Sequence, residues 1–499
     1  MNPRLKKILL VVLAIALLAG SSTLQNSLNR DRDKLGLTYI APLENAPPVL
    51  AFTTVALGGF RGLIANMLWA RASTLQEEDK FFEMAQLADW ITKLEPHFSQ
   101  VWIYQAWNMA YNISVKFKDF PDRWRWVQSG IELLRDEGLR YNPNDVLIHR
   151  ELAWFFQHKM GAFTDDASLY YKQQWANAMA EVFAKQKPNL DELIHPQTPD
   201  QTNRATLLRE KYKMDPQFMK DVAERYGPLE WRLPEAHAIY WAARGLEEAK
   251  RNPSKVKPDD LIMLRRVIYQ SMMLSFMRGR LTENPFEKVF EFGPNLDIVP
   301  KVNDSYEEMY AAEADPGQKV GILRAQRNFL RQAVYFLYVH NRMADAAKWF
   351  KYLGQKFPNQ SILDSDPRAL PATLTLDEYA VACVETDLNE TSRDRVISML
   401  EGLLMTSYNN MLIGEEDRAT GLRLLARKAW EIYQTKVPAE RQDAMGLPPL
   451  EQINRDVVTR LLDPEQGMPP EMRAVLRTKL GMPKETAPSE ATPAPAAKT

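Results

Sequence analysis

From residue 75 onward, apolar side chains recur at three- and four-residue steps and proline closes the runs. No other feature of the sequence limits the fold so tightly. Phe81, Met84, Leu87, Ala88 and Ile91 form one run ahead of Pro96, and Trp124, Val127, Ile131 and Leu134 form another ahead of Pro143. That spacing lines one face of an α-helix, and a proline shortly beyond it marks a helix end. Twenty-one glycines in 499 residues are too few for the many tight turns of a β-sandwich or barrel. The chain therefore reads as all-α. At roughly one domain per 100–200 residues it is too long for a single core, so it holds either several helical domains or one elongated array.

The residues around the prolines carry more information. Residues 138–143 read GLRYNP. Gly138 takes a small position, Leu139 and Tyr141 apolar ones, and Pro143 the stop; the next helix offers Leu152, Ala153 and Phe156. Trp102, Ala106 and Met109 follow Pro96 at matching offsets. Later, Leu330, Ala333, Val334 and Leu337 suit a first helix, and Ala346, Phe350 and Pro358 a second. These residues resemble the tetratricopeptide repeat, a helix pair of about 34 residues with fixed small and large positions. The resemblance implies a helix-pair solenoid with degenerate repeats, and an insertion near Asn112–Arg123 breaks the register. Physics gives the same picture: one helix pair cannot bury its apolar face alone, whereas stacked pairs can. Taken whole, the chain resembles bacterial membrane-anchored proteins of this repeat type. That likeness implies protein partners of the membrane or envelope.

The N-terminus favours a membrane. Arg4, Lys6 and Lys7 precede an uncharged apolar run from Ile8 to Gly20, the pattern of an export signal. It reads either as a retained single-pass anchor, extended by Ser21 to Leu24, or as a signal peptide cut between small residues. With the basic flank inside, the bulk of the chain lies on the periplasmic side of the inner membrane. A second apolar run, Val49–Ala70, holds Arg61 as its sole charge. It reads as the buried first helix of the helical domain or as a helix on the membrane surface.

The expected organisation is an anchor or signal segment at 1–24, a linker at 25–48 and a first helical lobe at 49–184. A polar, proline-rich stretch at 185–230 reads as a loop or insert dividing two lobes, followed by a second lobe at 231–360 and a C-terminal helical region at 361–482. Helices in that last region are expected near 376–389, 391–409 and 416–435. Residues 483–499 are rich in alanine, proline and threonine, a composition that cannot bury enough apolar area to order itself.

Signatures of chemistry are missing. The 63 basic and 64 acidic residues nearly cancel, which disfavours nucleic acid as a partner. His97, His149, His158, His195, His237 and His340 include no i, i+4 pair and no HExxH. Glu192 and His195 form a lone ExxH beside Pro196, short of the paired motifs of a di-iron bundle. No phosphate loop and no GxSxG elbow occur. Cys383, the only cysteine, sits in the apolar stretch YAVACV and reads as an inert buried thiol. The expectation is a non-enzyme with no metal and no cofactor.

Aromatic density is what remains. Seven of the twelve tryptophans lie between Trp69 and Trp154, so aromatic contacts concentrate in the first lobe. Tyr104, Trp107 and Tyr111 are spaced i, i+3, i+7 and share one helix face. They read either as a partner groove, for which tyrosine and tryptophan suit, or as core. Arg123-Trp124-Arg125-Trp126 reads either as an interface for an anionic surface or as a helical turn with Trp124 packed inward. The expected function is a membrane-anchored, extracytoplasmic scaffold for protein–protein interaction. The alternative is an aromatic-groove receptor for a peptide or glycan.

Overall fold

The computed structural model describes residues 61–483 apart from 163, 184–187, 254–255, 284–289, 341, 364–367, 377–378, 381, 384–392, 413, 415 and 438–445, together with scattered positions from Leu13 to Asp31. Most of the expected linker at 25–48, most of the anchor segment and all but the first residue of the tail at 483–499 lie outside the described residues. Leu13, Ile15, Leu17, Leu24 and Leu28 are helical and exposed. Among the described residues no helix is long and apolar enough to cross a membrane.

The chain divides into two compact units, Met1–Pro96 and His97–Thr499. The boundary between them falls inside the expected first lobe at 49–184. In the first unit, helix α1 (Arg61–Glu77) packs on α2 (Phe81–Leu94). The periodic residues Phe81, Met84, Ala88 and Ile91 are buried, while Leu63, Met67, Phe82 and Trp90 stay exposed.

The second unit is built from α3 (Ser99–Trp107), α4 (Phe120–Glu132), α5 (Val146–Trp154), α6 (Ser168–Phe183), α7 (Pro199–Glu210), α8 (Pro216–Tyr226), α9 (Pro234–Arg251), α10 (Pro258–Arg278), α11 (Val299–Ala312), α12 (Pro316–Val339) and α13 (Met343–Lys356). Beyond these lie α14 (Arg393–Leu412), α15 (Glu416–Lys436), α16 (Leu450–Leu461) and α17 (Pro470–Lys479). Three helices run on into π-helical turns, at Asn108–Ile113, Leu133–Gly138 and Phe155–Gly161. The centre is α9, which packs on α5 and α10. Its burial extends to Glu235, His237 and Glu248.

The insert at 185–230 corrects the sequence reading. It holds α7 and α8, not a loop. Two of its five prolines, Pro199 and Pro216, open helices rather than breaking them, because proline at the first helical position loses no hydrogen bond. Thr198 accepts from the Gln201 amide in a capping box ahead of Pro199, and Asp215 caps the helix that opens with Pro216. A second correction is a short antiparallel hairpin, β1 (Arg280–Glu283) with β2 (Phe290–Gly293), in which Leu281 pairs with Phe292. Leu281 packs with Ala176 and Leu233, beneath Phe290 and Phe292. Alternating side chains on one covered face give a strand its reason to form.

At the repeat-like positions, Trp102, Ala106, Leu152, Ala153, Phe156 and Ala346 are buried, as is Gly138. Pro143 and Pro358 are exposed beyond their helices. Phe350 is only half-buried, its ring 5.5 Å from that of Tyr379, and Trp349 takes the deeper place. The tighter helix approach falls more than two turns away from the glycine that the repeat pattern marks. A Cβ on Gly130 would lie 2.9 Å from the Ala106 carbonyl oxygen, whereas one on Gly138 would meet Ile148 at an ordinary 3.5 Å.

Candidate functional site: an aromatic groove beside a buried charge cluster

Helix α5 and its π-helical extension carry four side chains that define this region: Trp154, Gln157, His158 and Lys159. In a π turn the amide bonds reach back five residues instead of four, so side chains leave the spacing of an α-helical stripe. Lys159 turns inward. Its ammonium lies 2.5 Å from Asp165 Oδ2, with side-chain exposures of only 3 % and 6 %. Asp165 also pairs with Arg123 at 3.1 Å and accepts from the Tyr171 hydroxyl and the Ala167 amide. Burial works to raise the Asp165 carboxyl, but the bond from Lys159 and the Ala167 amide outweigh it and hold it below the ordinary value. The same burial lowers the Lys159 ammonium and raises the Tyr111 and Tyr171 phenols. The ammonium also faces the Tyr111 ring at 5.0 Å, a cation–π contact strengthened where water is absent.

Arg123 is thereby committed inside the fold, clamping Asp165 and Asp166 and donating to the Phe117 carbonyl. Trp124 packs inward against Tyr171. Arg125 alone faces solvent, paired with Asp122. Two arginines adjacent in pattern thus have different roles, and the alternating motif is a helix start rather than one interface.

The aromatic stripe divides as well. Tyr104 is half-buried, its phenol raised by burial. Trp107 is 39 % exposed and stacks on Tyr111 at 5.2 Å. The Tyr111 hydroxyl lies 3.1 Å from His158 Nδ1, and the His158 ring stacks on Trp154 at 4.6 Å. His158 is lowered by burial and then by Lys159, so its imidazole is neutral at neutral pH. Beyond His158 opens a groove of about 460 Å³, walled by Trp154, His158, Tyr269, Met273 and Tyr306. Its volume suits a small ligand or a short peptide segment. Neither Tyr104, Trp107 nor Tyr111 lines it; Trp107 and Tyr111 adjoin it through His158. The walls come from α5, α10 and α11, so Tyr269 and Tyr306 could not be found by spacing along one helix.

One polar group in the groove is unusual. Gln157 is 6 % exposed and lines the groove. Its Nε2 donates to Gln270 Oε1 at 2.6 Å, while its own Oε1 meets no donor among the described residues. A buried acceptor left unmade costs about 1–3 kcal/mol. Such cost is tolerated where a ligand supplies the donor.

Elsewhere the histidines do ordinary work. His149, His237 and His340 each bond a backbone carbonyl, and burial pushes the latter two down to about 4. Among the described residues no three His, Cys, Asp or Glu side chains gather as metal ligands. Cys383 is a buried thiol.

The two tryptophans on α3 are expected to behave oppositely. Trp102→Ala removes a side chain that is 5 % exposed and stacked on Tyr141, and should cost about 3–5 kcal/mol. Trp107→Ala gives up one exposed stacking contact and should cost about 0.5–1.5 kcal/mol. Denaturant midpoints of the two variants check this; equal losses would mean Trp107 is core. Comparison with protein-family models, with curated proteins and with solved structures found no match.

Proposed function

We propose that this chain is a protein-binding scaffold of tetratricopeptide type, held at the bacterial inner membrane by the apolar run at 8–24 with its bulk on the periplasmic side. Successive helix pairs leave grooves between them, and the aromatic groove beside His158 is where a partner segment docks. The observation that carries the reading is the Gln157 acceptor, buried and unpaired among the described residues in an aromatic-walled groove. A backbone N–H of a docked segment satisfies it while the rings cover the flanking side chains. Tyrosine and tryptophan are favoured anchors at such contacts.

A second reading keeps the groove and changes the ligand. The stacked pairs Trp107–Tyr111 and Trp154–His158 present flat faces at its edge, which suits a receptor for a free peptide or a glycan.

The test is a pull-down after mild cross-linking, comparing the tagged full-length chain with its Gln157→Leu and Tyr269→Ala variants. An envelope protein recovered by the parent and lost by both variants supports the scaffold reading. Recovery unchanged by both variants would remove the groove from the contact. Recovery of the bait alone would overturn the scaffold in favour of the receptor, and peptide and glycan titrations with Gln157→Leu as control would follow.

A further inference from the structure

A larger groove in the second unit lies elsewhere, between α8, α9 and α10, and has a volume of about 540 Å³. Its floor is apolar, with Phe218, Val222, Leu246 and Leu261 among the residues that form it. Five charged side chains stand around it: Asp221, Arg225, Glu247, Lys250 and Arg265. Two of the five neutralise each other, since Lys250 pairs with Glu247 at 2.6 Å. Asp221 accepts from Gln217. Arg225 and Arg265 make no ion pair among the described residues, and both are exposed. An excess of positive charge therefore sits at the rim of an apolar trough.

The lining is as informative for what it lacks. No serine, threonine, asparagine or glutamine is among its residues. The Tyr226 hydroxyl is the one neutral polar side-chain group among them, so a peptide laid in this groove would bury most of its backbone amides without a neutral partner, and each buried unpaired polar group is penalised. The chemistry that fits has an uninterrupted apolar body and negative charge at one end only. A guanidinium binds a carboxylate through two parallel bonds.

We propose that this groove binds a long-chain fatty acid, with the acyl chain on the floor and the carboxylate held by Arg225 and Arg265. The volume lies within the range of small-molecule sites. This reading is independent of the scaffold role and of the aromatic groove.

The test uses the full-length chain in membranes, with a fatty acid carrying a photoreactive diazirine on its tail, and mass spectrometry to locate the label. Saturable labelling of the segment 216–265 is expected, competed by palmitate and at least roughly tenfold less well by hexadecanol, which has the chain without the charge. The double variant Arg225→Gln/Arg265→Gln should lower the labelling there by about tenfold or more. Both arginines are exposed, so its melting temperature should stay that of the parent. Labelling that never saturates, that falls only outside 216–265, or that ignores either the alcohol comparison or the double variant would overturn the proposal.

Discussion

Glu235→Ala should lower the stability of the His97–Thr499 unit by about 3–5 kcal/mol, the cost of leaving one buried charge without its partner. The Glu235 carboxylate and the Lys172 ammonium are in direct contact, each with a side chain 1 % exposed. Around them lie the Phe292 ring, 5.7 Å from the ammonium, and the guanidinium of Arg278, itself paired with Asp394 at 3.3 Å. Desolvation pushes Lys172 down to about 8, against the attraction of Glu235. Removing the carboxylate strands the ammonium and leaves Arg278 with Asp394 alone. The double variant Lys172→Met/Glu235→Leu should recover most of the loss, because apolar side chains of similar volume carry no desolvation penalty. The linkage has a definite sign. Lys172 gives up its proton near pH 8 when folded and near 10.5 when unfolded, so its penalty is full below pH 8 and fades as pH rises towards 10.5. The parent should therefore gain on the double variant across that window. Denaturant midpoints at several pH values measure both effects. A single-variant loss under about 1 kcal/mol would show that water reaches the pair.

Asp165→Asn should cost about 3 kcal/mol or more, for the same reason at a different place. Asp165 answers both Lys159 and Arg123, and Asp166 remains only for the arginine. The ammonium under Tyr111 would then be buried without a counter-charge. Because Tyr111 bonds His158, the loss should reach the groove and appear as a changed near-ultraviolet circular dichroism signal. The pH dependence has the same sign as that of Lys172, since both groups are lowered in the fold, but it falls in the acid range. Asp165 is held below its ordinary 3.8, so its contribution is present above that value and is lost as pH falls through the lowered one. The acid limb of the stability curve below pH 3.8 should be shallower in the variant. An unchanged limb, with a loss under about 1 kcal/mol, would show that Arg123 and Asp166 suffice without Asp165.

The contrast between 81–94 and 191–226 shows how far a sequence can be read locally. In the first, apolar residues at helical spacing were enough, and Phe81, Met84, Ala88 and Ile91 lie on the buried face. In the second, the same proline that signals an end elsewhere opens two helices, and only the caps Thr198 and Asp215 distinguish the cases. The cap residues were legible; their weight against three prolines and few apolar residues was not. The hairpin at 280–293 is a similar case, since its four-residue strands exist to cover Ala176 and Leu233 from α6 and the start of α9.

By itself the sequence determined the helical class, the places where helices start and stop once capping is counted, and the absence of local catalytic motifs. These follow from interactions within a few residues, which repeat spacing records. The tertiary structure alone decided which apolar residues remain on the surface and which charges are buried. Trp102 and Trp107 lie on one helix, yet Trp102 is buried against Tyr141 while Trp107 is left at the surface over Tyr111. Arg123 and Arg125 are two residues apart, yet one holds Asp165 and the other faces water. Trp154, Tyr269 and Tyr306 meet across one groove although no periodicity connects them. Burial depends on neighbours supplied by distant parts of the chain, and a π turn rotates side chains off the face that α-helical spacing assigns them.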